Sequence, residues 1–358
     1  MKTIATIIVL AMLCACTDDS TNSDALCQPN DAVCSDRDSG QTDTGSNTDT
    51  ADGALDSGSE DVDAVDSTVS VDIGQEQSVV DANHPSQDEL DVFVKVSAGG
   101  YHSCALKRSG LVQCWGRDNY GQSTVPGERF KDISTNYWHS CGVSNAGDIL
   151  CWGDNEFGQS NGIEGDFVQV SAGYMHTCGL DTNGEVRCSG LEDGRIEPPS
   201  GPFIEIDSGW YHTCAVRMDQ TAVCWGMNSD NQLGPIPDEV WRTVSAGGLH
   251  TCGLTQDADE SDVVRCWGSN EFGQGASDSL SGDSIEQLSA GIEHTCVVYN
   301  DGTSQCWGRN NRGQSNAATS PVSQVSAGLD HTCGLTLDGD ILCWGQNNHG
   351  QTDVNLSE

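Results

Sequence analysis

Basic side chains are scarce in this chain of 358 residues: 15 Lys and Arg stand against 54 Asp and Glu, a formal charge of −39. The shortage excludes a surface built to grip nucleic-acid phosphates, which needs clustered Lys and Arg. Long apolar runs are missing too, since after residues 4–13 no stretch is long enough to span a bilayer. Aromatic residues make up only 6% of the chain, so where they gather is informative. No Ser-His-Asp, paired-carboxylate or phosphate-loop constellation stands apart from the pattern described below. The chain therefore reads as a non-enzyme that needs no cofactor and no metal. Glycine (42 residues) and cysteine (18 residues), by contrast, are plentiful.

Three zones differ in composition. Residues 1–16 carry Lys2, an apolar run, small residues and Cys16, the layout of a short export signal. The stretch Leu13-Cys14-Ala15-Cys16 resembles the lipobox of bacterial lipoproteins, which implies that Cys16 bears lipid. Cys14 fits less well, because bulky Leu13 precedes it where a small residue is preferred. An ordinary secretory signal cleaved nearby is the alternative. A multiply acylated Cys16 would hold the exported chain firmly to a membrane, and membrane contact is expected through this anchor alone. Thr17 is not the Asp that favours inner-membrane retention, so the outer membrane or cell surface is expected.

Residues 17–91 contain 20 acidic residues, one Arg and few apolar ones. Such a segment cannot repay the entropy of ordering and reads as a disordered tether, about 50 Å long as a random coil. Its acidic run 36–52 matches no calcium loop with ligands at fixed places. Cys27 and Cys34 sit alone in it and are expected to pair locally. Residues 92–358 hold 34 acidic and 13 basic residues, a net of −21.

This last zone repeats itself seven times. The register marks are His102, His139, His176, His212, His250, His294 and His331, spaced by 37, 37, 36, 38, 44 and 37 residues. A period in this range means that each unit is one supersecondary element unable to bury a core alone. In the first unit, pairing Cys104 with Cys114 also pairs Leu106 with Val112 and Lys107 with Leu111. Arg108-Ser109-Gly110 is left as a three-residue hairpin loop whose last position favours a left-handed residue. Gly147, Gly184, Gly302 and Gly339 hold the same place and Gln220 departs from it. The fifth unit lengthens this tip by four residues, an even number that preserves which side chains share a face. Repeated strand-forming units closing on themselves predict an all-β, seven-bladed β-propeller.

Alternation puts His102, Cys104, Leu106, Val112 and Cys114 on one face of the hairpin and Ala105 and Trp115 on the other. The residue after the first Cys is small in six units (Ala105, Gly142, Gly179, Ala215, Gly253, Gly334), with Val297 the exception. Trp115, Trp152, Trp225, Trp267, Trp307 and Trp344 recur after the second Cys. Each is expected to lie over the small site of the neighbouring blade. A turn of the form Trp-Gly-x-Asn-x-x-Gly-Gln follows. Asn231 replaces its late glycine in the fourth unit, consistent with positive φ.

These motifs resemble the regulator of chromosome condensation repeat family of seven-bladed propellers, whose unit looks like Ala-Gly-x-x-His-Ser-x-Ala-Leu, Gly-x-Val-x-x-Trp-Gly-x-Asn-x-x-Gly-Gln. The resemblance covers all seven units. Twin cysteines in every unit depart from the general pattern. The family includes nuclear exchange factors for a small GTPase, secreted beta-lactamase inhibitory proteins and exported bacterial proteins. An export signal and an acidic surface speak against the nuclear role here.

One His and two Cys per unit offer enough ligands for zinc. The competing expectation, and the favoured one in an exported chain, is a disulfide in every blade. Directly opposed antiparallel positions lie within disulfide reach, and each short loop closed contributes about 3 kcal/mol in the chain-entropy view. The pairs are Cys104–Cys114, Cys141–Cys151, Cys178–Cys188, Cys214–Cys224, Cys252–Cys266, Cys296–Cys306 and Cys333–Cys343. The histidines, one per unit, read as buried imidazoles bonded to backbone.

Function in a propeller lies where the repeats differ, chiefly on one rim. Between the conserved Gly and His, units one to four carry Tyr101, Tyr137-Trp138, Tyr174-Met175 and Trp210-Tyr211, whereas units five to seven carry Gly248-Leu249, Ile292-Glu293 and Leu329-Asp330. Tyr101, Tyr137, Trp138, Tyr174, Trp210 and Tyr211 thus form an aromatic arc. It is either a patch that binds a protein or glycan or a local core between blades. The turn from Ser189 to Arg195 departs from the pattern and offers a pocket beside blade three. The acidic tip 257–262 suits a cation or a basic partner. The function expected is a monomeric, non-enzymatic, lipid-anchored binding scaffold. The alternative is an inhibitor of a secreted or periplasmic enzyme such as a beta-lactamase.

Overall fold

The computed structural model describes residues 91–256, 262–276 and 284–354. The signal with Cys16, the tether up to residue 90 with Cys27 and Cys34, and the tip 257–261 lie outside the described residues. Each repeat forms a three-stranded antiparallel sheet in sequential order. Blade one holds β1 (Phe93–Ala98), β2 (His102–Lys107) and β3 (Val112–Gly116), and blade two β4 (Phe130–Thr135), β5 (His139–Ser144) and β6 (Ile149–Gly153). Blade three holds β7 (Phe167–Ala172), β8 (His176–Asp181) and β9 (Val186–Gly190), and blade four β10 (Phe203–Ser208), β11 (His212–Arg217) and β12 (Ala222–Gly226). Blade five holds β13 (Trp241–Ala246), β14 (His250–Gln256) and β15 (Asp262–Gly268). Blade six holds β16 (Ile285–Ala290), β17 (His294–Tyr299) and β18 (Ser304–Gly308), and blade seven β19 (Val322–Ala327), β20 (His331–Thr336) and β21 (Ile341–Gly345). The fold is an all-β, seven-bladed propeller.

The hairpins form locally. In β2–β3, Cys104 opposes Cys114 and Leu106 opposes Val112. The Lys107 N–H donates to Leu111 O and the Gly110 N–H to Lys107 O, both at 2.8 Å. Gly110 has φ +86°, and Gln220 takes the same left-handed conformation at +66°. Asn231 stands at +62° in place of the turn glycine. Blade five keeps Cys252 opposite Cys266 across its longer tip.

Packing then links each blade to the next. Cys104 and Leu106 lie against Phe130, Ile133 and Trp152 of blade two. The last interface repeats this arrangement, with Cys333, Leu335 and Ile341 of blade seven against Val96, Ala105 and Trp115 of blade one. The tryptophan does not cover its neighbour's small site. A Cβ on Gly142 would come within 2.4 Å of Phe130, a ring of the same blade, and Trp152 stands beside that ring with centroids 5.6 Å apart. Gly253 clears Trp241 in the same way, again at 2.4 Å. In blades two and five the small position therefore seats the first-strand aromatic of its own blade, and both rings press on the preceding blade's disulfide. Each such ring, fully buried, contributes roughly 1.5–3 kcal/mol.

The first strands of neighbouring blades do not pair, so their inner N–H groups need other acceptors. Side chains of the preceding blade supply them. Ala98 N–H donates to Ser326 Oγ (2.9 Å), Thr135 N–H to Ser97 Oγ (2.9 Å) and Ala246 N–H to Asp207 Oδ2 (2.9 Å). A layer further along, Val96 N–H donates to Gln324 Oε1 (2.9 Å) and Ile206 N–H to Gln169 Oε1 (3.0 Å).

The histidines complete a closed ring of bonds. His102 Nε2 meets Ser140 Oγ of the next blade at 2.7 Å, His139 meets Thr177 at 2.8 Å, and His331 meets Ser103 at 2.8 Å. The partner is thus a neighbouring hydroxyl and not the backbone. Ser140 Oγ donates to Gln122 O (2.9 Å) and Thr177 Oγ1 to Gln159 O (2.8 Å). Each of these two hydroxyls spends its single hydrogen there, so the facing imidazole donates from Nε2 and stays neutral. Burial holds the pKa down from 6.5 to about 3 at His102, His139, His176, His212 and His294, and to about 4 at His250 and His331.

A group with a lowered folded-state pKa of this kind leaves the unfolded chain binding more protons between pH 6.5 and about 4, so stability is lost as pH falls through that window. Glu205, pushed up to about 7 by burial, works in the opposite sense, as do Asp207 and Asp330, also raised by burial. Seven imidazoles outweigh three carboxyls. Denaturant unfolding between pH 7 and pH 5 is expected to show steeply falling stability with uptake of several protons. A flat or rising profile would contradict the buried neutral ring.

Candidate functional site

The loops that enter β2, β5, β8 and β11 and the turns that leave β3, β6, β9 and β12 meet at one end of the ring. Backbone bonds fix them: Arg117 N–H donates to Tyr101 O (2.9 Å), Asp154 N–H to Trp138 O (3.0 Å) and Met227 N–H to Tyr211 O (2.8 Å). Gly100 N–H reaches Asn136 O of the next blade at 3.2 Å. The side chains carried by these loops form one network. Tyr137 lies 5.4 Å from Tyr101, 4.7 Å from Trp138, 5.0 Å from Tyr174 and 5.6 Å from Trp210 between ring centroids. Tyr211 joins through Tyr174 (5.8 Å) and Trp210 (5.9 Å). Most of these contacts are edge-on, the arrangement that a ring quadrupole favours.

The six sequence-selected rings are therefore together, and exposure divides them. Tyr101 (9%), Tyr137 (6%) and Trp138 (7%) are buried beneath the surface, whereas Tyr174, Trp210 and Tyr211 are half-buried. The most exposed ring of the arc is Tyr120, 52% accessible and 5.4 Å from Trp138. Sequence reasoning did not select it. Its signal was present, since Phe157 and Phe272 hold the same turn place two residues before the Gln. Two guanidinium groups flank the arc: Arg117 stands 4.6 Å from the Trp138 centroid and Arg195 5.1 Å from that of Tyr211. The Tyr174 hydroxyl pKa is pushed up to about 12, first by burial and then by nearby charges including Asp154 and Glu156.

The irregular turn of blade three is filled by Arg195, 4% exposed. Arg195 O accepts the Trp225 indole N–H (3.0 Å), the role played by Gln122 O for Trp152 (2.9 Å). Its guanidinium, 4% exposed, pairs with Asp193 at 2.5 Å. Of the acidic tip, Asp262 is described, and it accepts from Arg242 (2.6 Å) and from Ile285 N–H (2.7 Å). Along the axis a cavity of about 110 Å3 includes Trp210, Ile292, Leu329 and Asp207, and one of about 180 Å3 includes Lys95, Gln169, Glu205 and again Asp207. Lys95 pairs with Asp132 at 2.5 Å. All fourteen repeat cysteines are joined within their blades, in the seven pairs anticipated. Their sulfurs are thus not thiolates open to a metal.

The model of the regulator of chromosome condensation (RCC1) repeat matches residues 93–122, 130–159, 167–193, 203–232, 241–274, 285–314 and 322–351. The chain belongs to the RCC1 repeat family. Among solved structures it is similar to the entire ectodomain of the receptor kinase CR4 from Physcomitrella patens, with 25% identity and a TM-score of 0.60 over 72% of this chain and 74% of that one. It is also similar to the CRINKLY WD40 ectodomain of the receptor kinase ACR4 from Arabidopsis thaliana, with 23% identity and a TM-score of 0.59 over 72% and 98% of the two chains. No curated protein sequence matches it. As an RCC1-type ring it is a propeller of the kind that serves as a binding scaffold, and seven disulfides place it outside the cytoplasm.

Within this RCC1-type ring the arc has a load-carrying base and an exposed crest. Trp138→Ala is expected to cost about 3–5 kcal/mol of stability, and Tyr120→Ala well under about 1 kcal/mol. Chemical unfolding of the two variants checks this, and equal small losses would show that Trp138 is not part of a core.

Proposed function

We propose that this propeller is a non-enzymatic recognition scaffold, held at the outer membrane or cell surface by lipid on Cys16 and an acidic tether, and that it binds its partner through the aromatic arc of blades one to four. The observation that carries the reading is asymmetry. The blades repeat one another closely in core, register and inter-blade bonds, yet the rim gathers five of the chain's six tyrosines and Trp138 and Trp210 on one side. Repetition explains the core but gives no reason for this arc, and partly exposed Tyr and Trp on a rigid base lose little entropy on contact. The similarity to a receptor-kinase ectodomain supports an extracellular recognition role. The lipid reading rests on the residues around Cys16 alone.

A photo-crosslinking amino acid at Tyr120 is expected to trap a specific envelope partner in cells, while the same group at Leu337, 64% exposed on the hairpin tip at the far end of β20, traps none. Equal trapping at both ends would remove the arc from the account. Independently, labelled palmitate should enter the wild-type chain and not Cys16→Ser; label retained in that variant would discard the anchor.

A further inference from the structure

The arc already holds cations of its own at both ends. Arg117 lies over Trp138 (4.6 Å) and Tyr101 (5.5 Å), and Arg195 lies over Tyr211 (5.1 Å). Between them stand Tyr174 and Trp210, half-buried, and among the described residues no Lys or Arg lies over either ring. Carboxylates lie on the same stretch of the rim. Their turn is tied to the arc by the Asp154 N–H, which donates to Trp138 O at 3.0 Å, and the charges of Asp154 and Glu156 oppose ionisation of Tyr174. Glu156 is exposed, and the ion pairs among the described residues include neither carboxylate. Asp154 takes one hydrogen bond, from Gln159 Nε2 at 2.7 Å. The centre of the arc therefore combines π faces with uncompensated negative charge, on a ring whose residues 92–358 carry a net of −21.

Resting on the reading of the arc as the binding rim, we propose that its partner is a protein segment presenting arginine side chains, one of which stacks on the solvent-facing side of the touching Tyr174 and Trp210 rings (centroids 5.7 Å apart) beside Asp154 and Glu156. Arginine suits this surface better than lysine. Its planar, weakly hydrated guanidinium lies flat on a ring while its fork reaches a carboxylate, as Arg195 does here between Tyr211 and Asp193. Charge complementarity also steers such a partner toward the acidic ring. A neutral glycan would use the rings but leave Asp154 and Glu156 without a counter-charge.

The test titrates the full chain with hexa-arginine, hexa-lysine and a neutral chito-oligosaccharide at 0.15 M salt, where diffuse attraction is screened beyond about 8 Å. Calorimetry gives affinity, and upfield ring-current shifts of the arginine δ-methylene protons give location. The variants are Glu156→Gln, which is exposed and leaves packing intact, and Trp210→Leu, with near-ultraviolet circular dichroism as the check on folding. Hexa-arginine is expected to bind more tightly than hexa-lysine with shifted δ protons, and to lose about tenfold in affinity in each variant. Oligosaccharide binding that is sensitive to Trp210→Leu, with no arginine preference, would overturn the arginine assignment and leave the rim reading standing. Hexa-arginine binding equally well to wild type and both variants would overturn both, placing attraction elsewhere on the acidic chain. No binding by any of the three would overturn the arginine assignment.

Discussion

No blade of this ring can cover its own disulfide. The sulfur-bearing face of Cys104 and Leu106 is closed by Phe130, Ile133 and Trp152 of the next blade, and the face of Cys333 by Val96, Ala105 and Trp115 of blade one. This one-directional dependence makes closure a requirement, because an open chain of such blades would leave one disulfide face bare to water at its end. Disulfides hold each hairpin, burial holds hairpin to hairpin, and serine, glutamine and histidine side chains reach from each blade to bond the next.

That arrangement confines variation to the rims. A residue inside a blade interface answers to two sheets at once, so the repeats converge on the same side chains there. The loop residues beyond the conserved glycine answer chiefly to one another, which leaves room for an aromatic arc on four blades and charged or aliphatic residues on the other three. The arc is rigid because its buried members, Tyr137 and Trp138, are packed beneath its half-exposed ones. Rigidity of this kind lowers the entropic cost of binding.

How much was legible in the sequence follows from the range of each interaction. The hairpins, their seven sulfur pairings, the positive φ of Asn231 and the count of blades rest on residues close in sequence and on a visible period, and all were read in advance. The partner of each tryptophan was misread, because alternation says which face a ring occupies but not whether the space opposite belongs to its own blade or the next. The histidines were placed correctly as buried, yet their bond runs to a hydroxyl some 38 residues away, a pairing set only by closure. Arg195 shows a third case. It stands in for a missing Gln through its backbone oxygen, which no side-chain motif records. The arc was located by composition, while its division into base and crest, and the leading place of Tyr120, depend on depth that sequence does not carry.

Closure itself is best tested at the seam. A double-mutant cycle on His331 and Ser103, the pair that joins blade seven to blade one, is to be compared with a cycle on His139 and Thr177 inside the ring. Closure predicts similar coupling for both pairs, about 1 kcal/mol or more. Coupling at the interior pair with none at the seam would mean that the first and last blades do not meet in solution, and the account would fail.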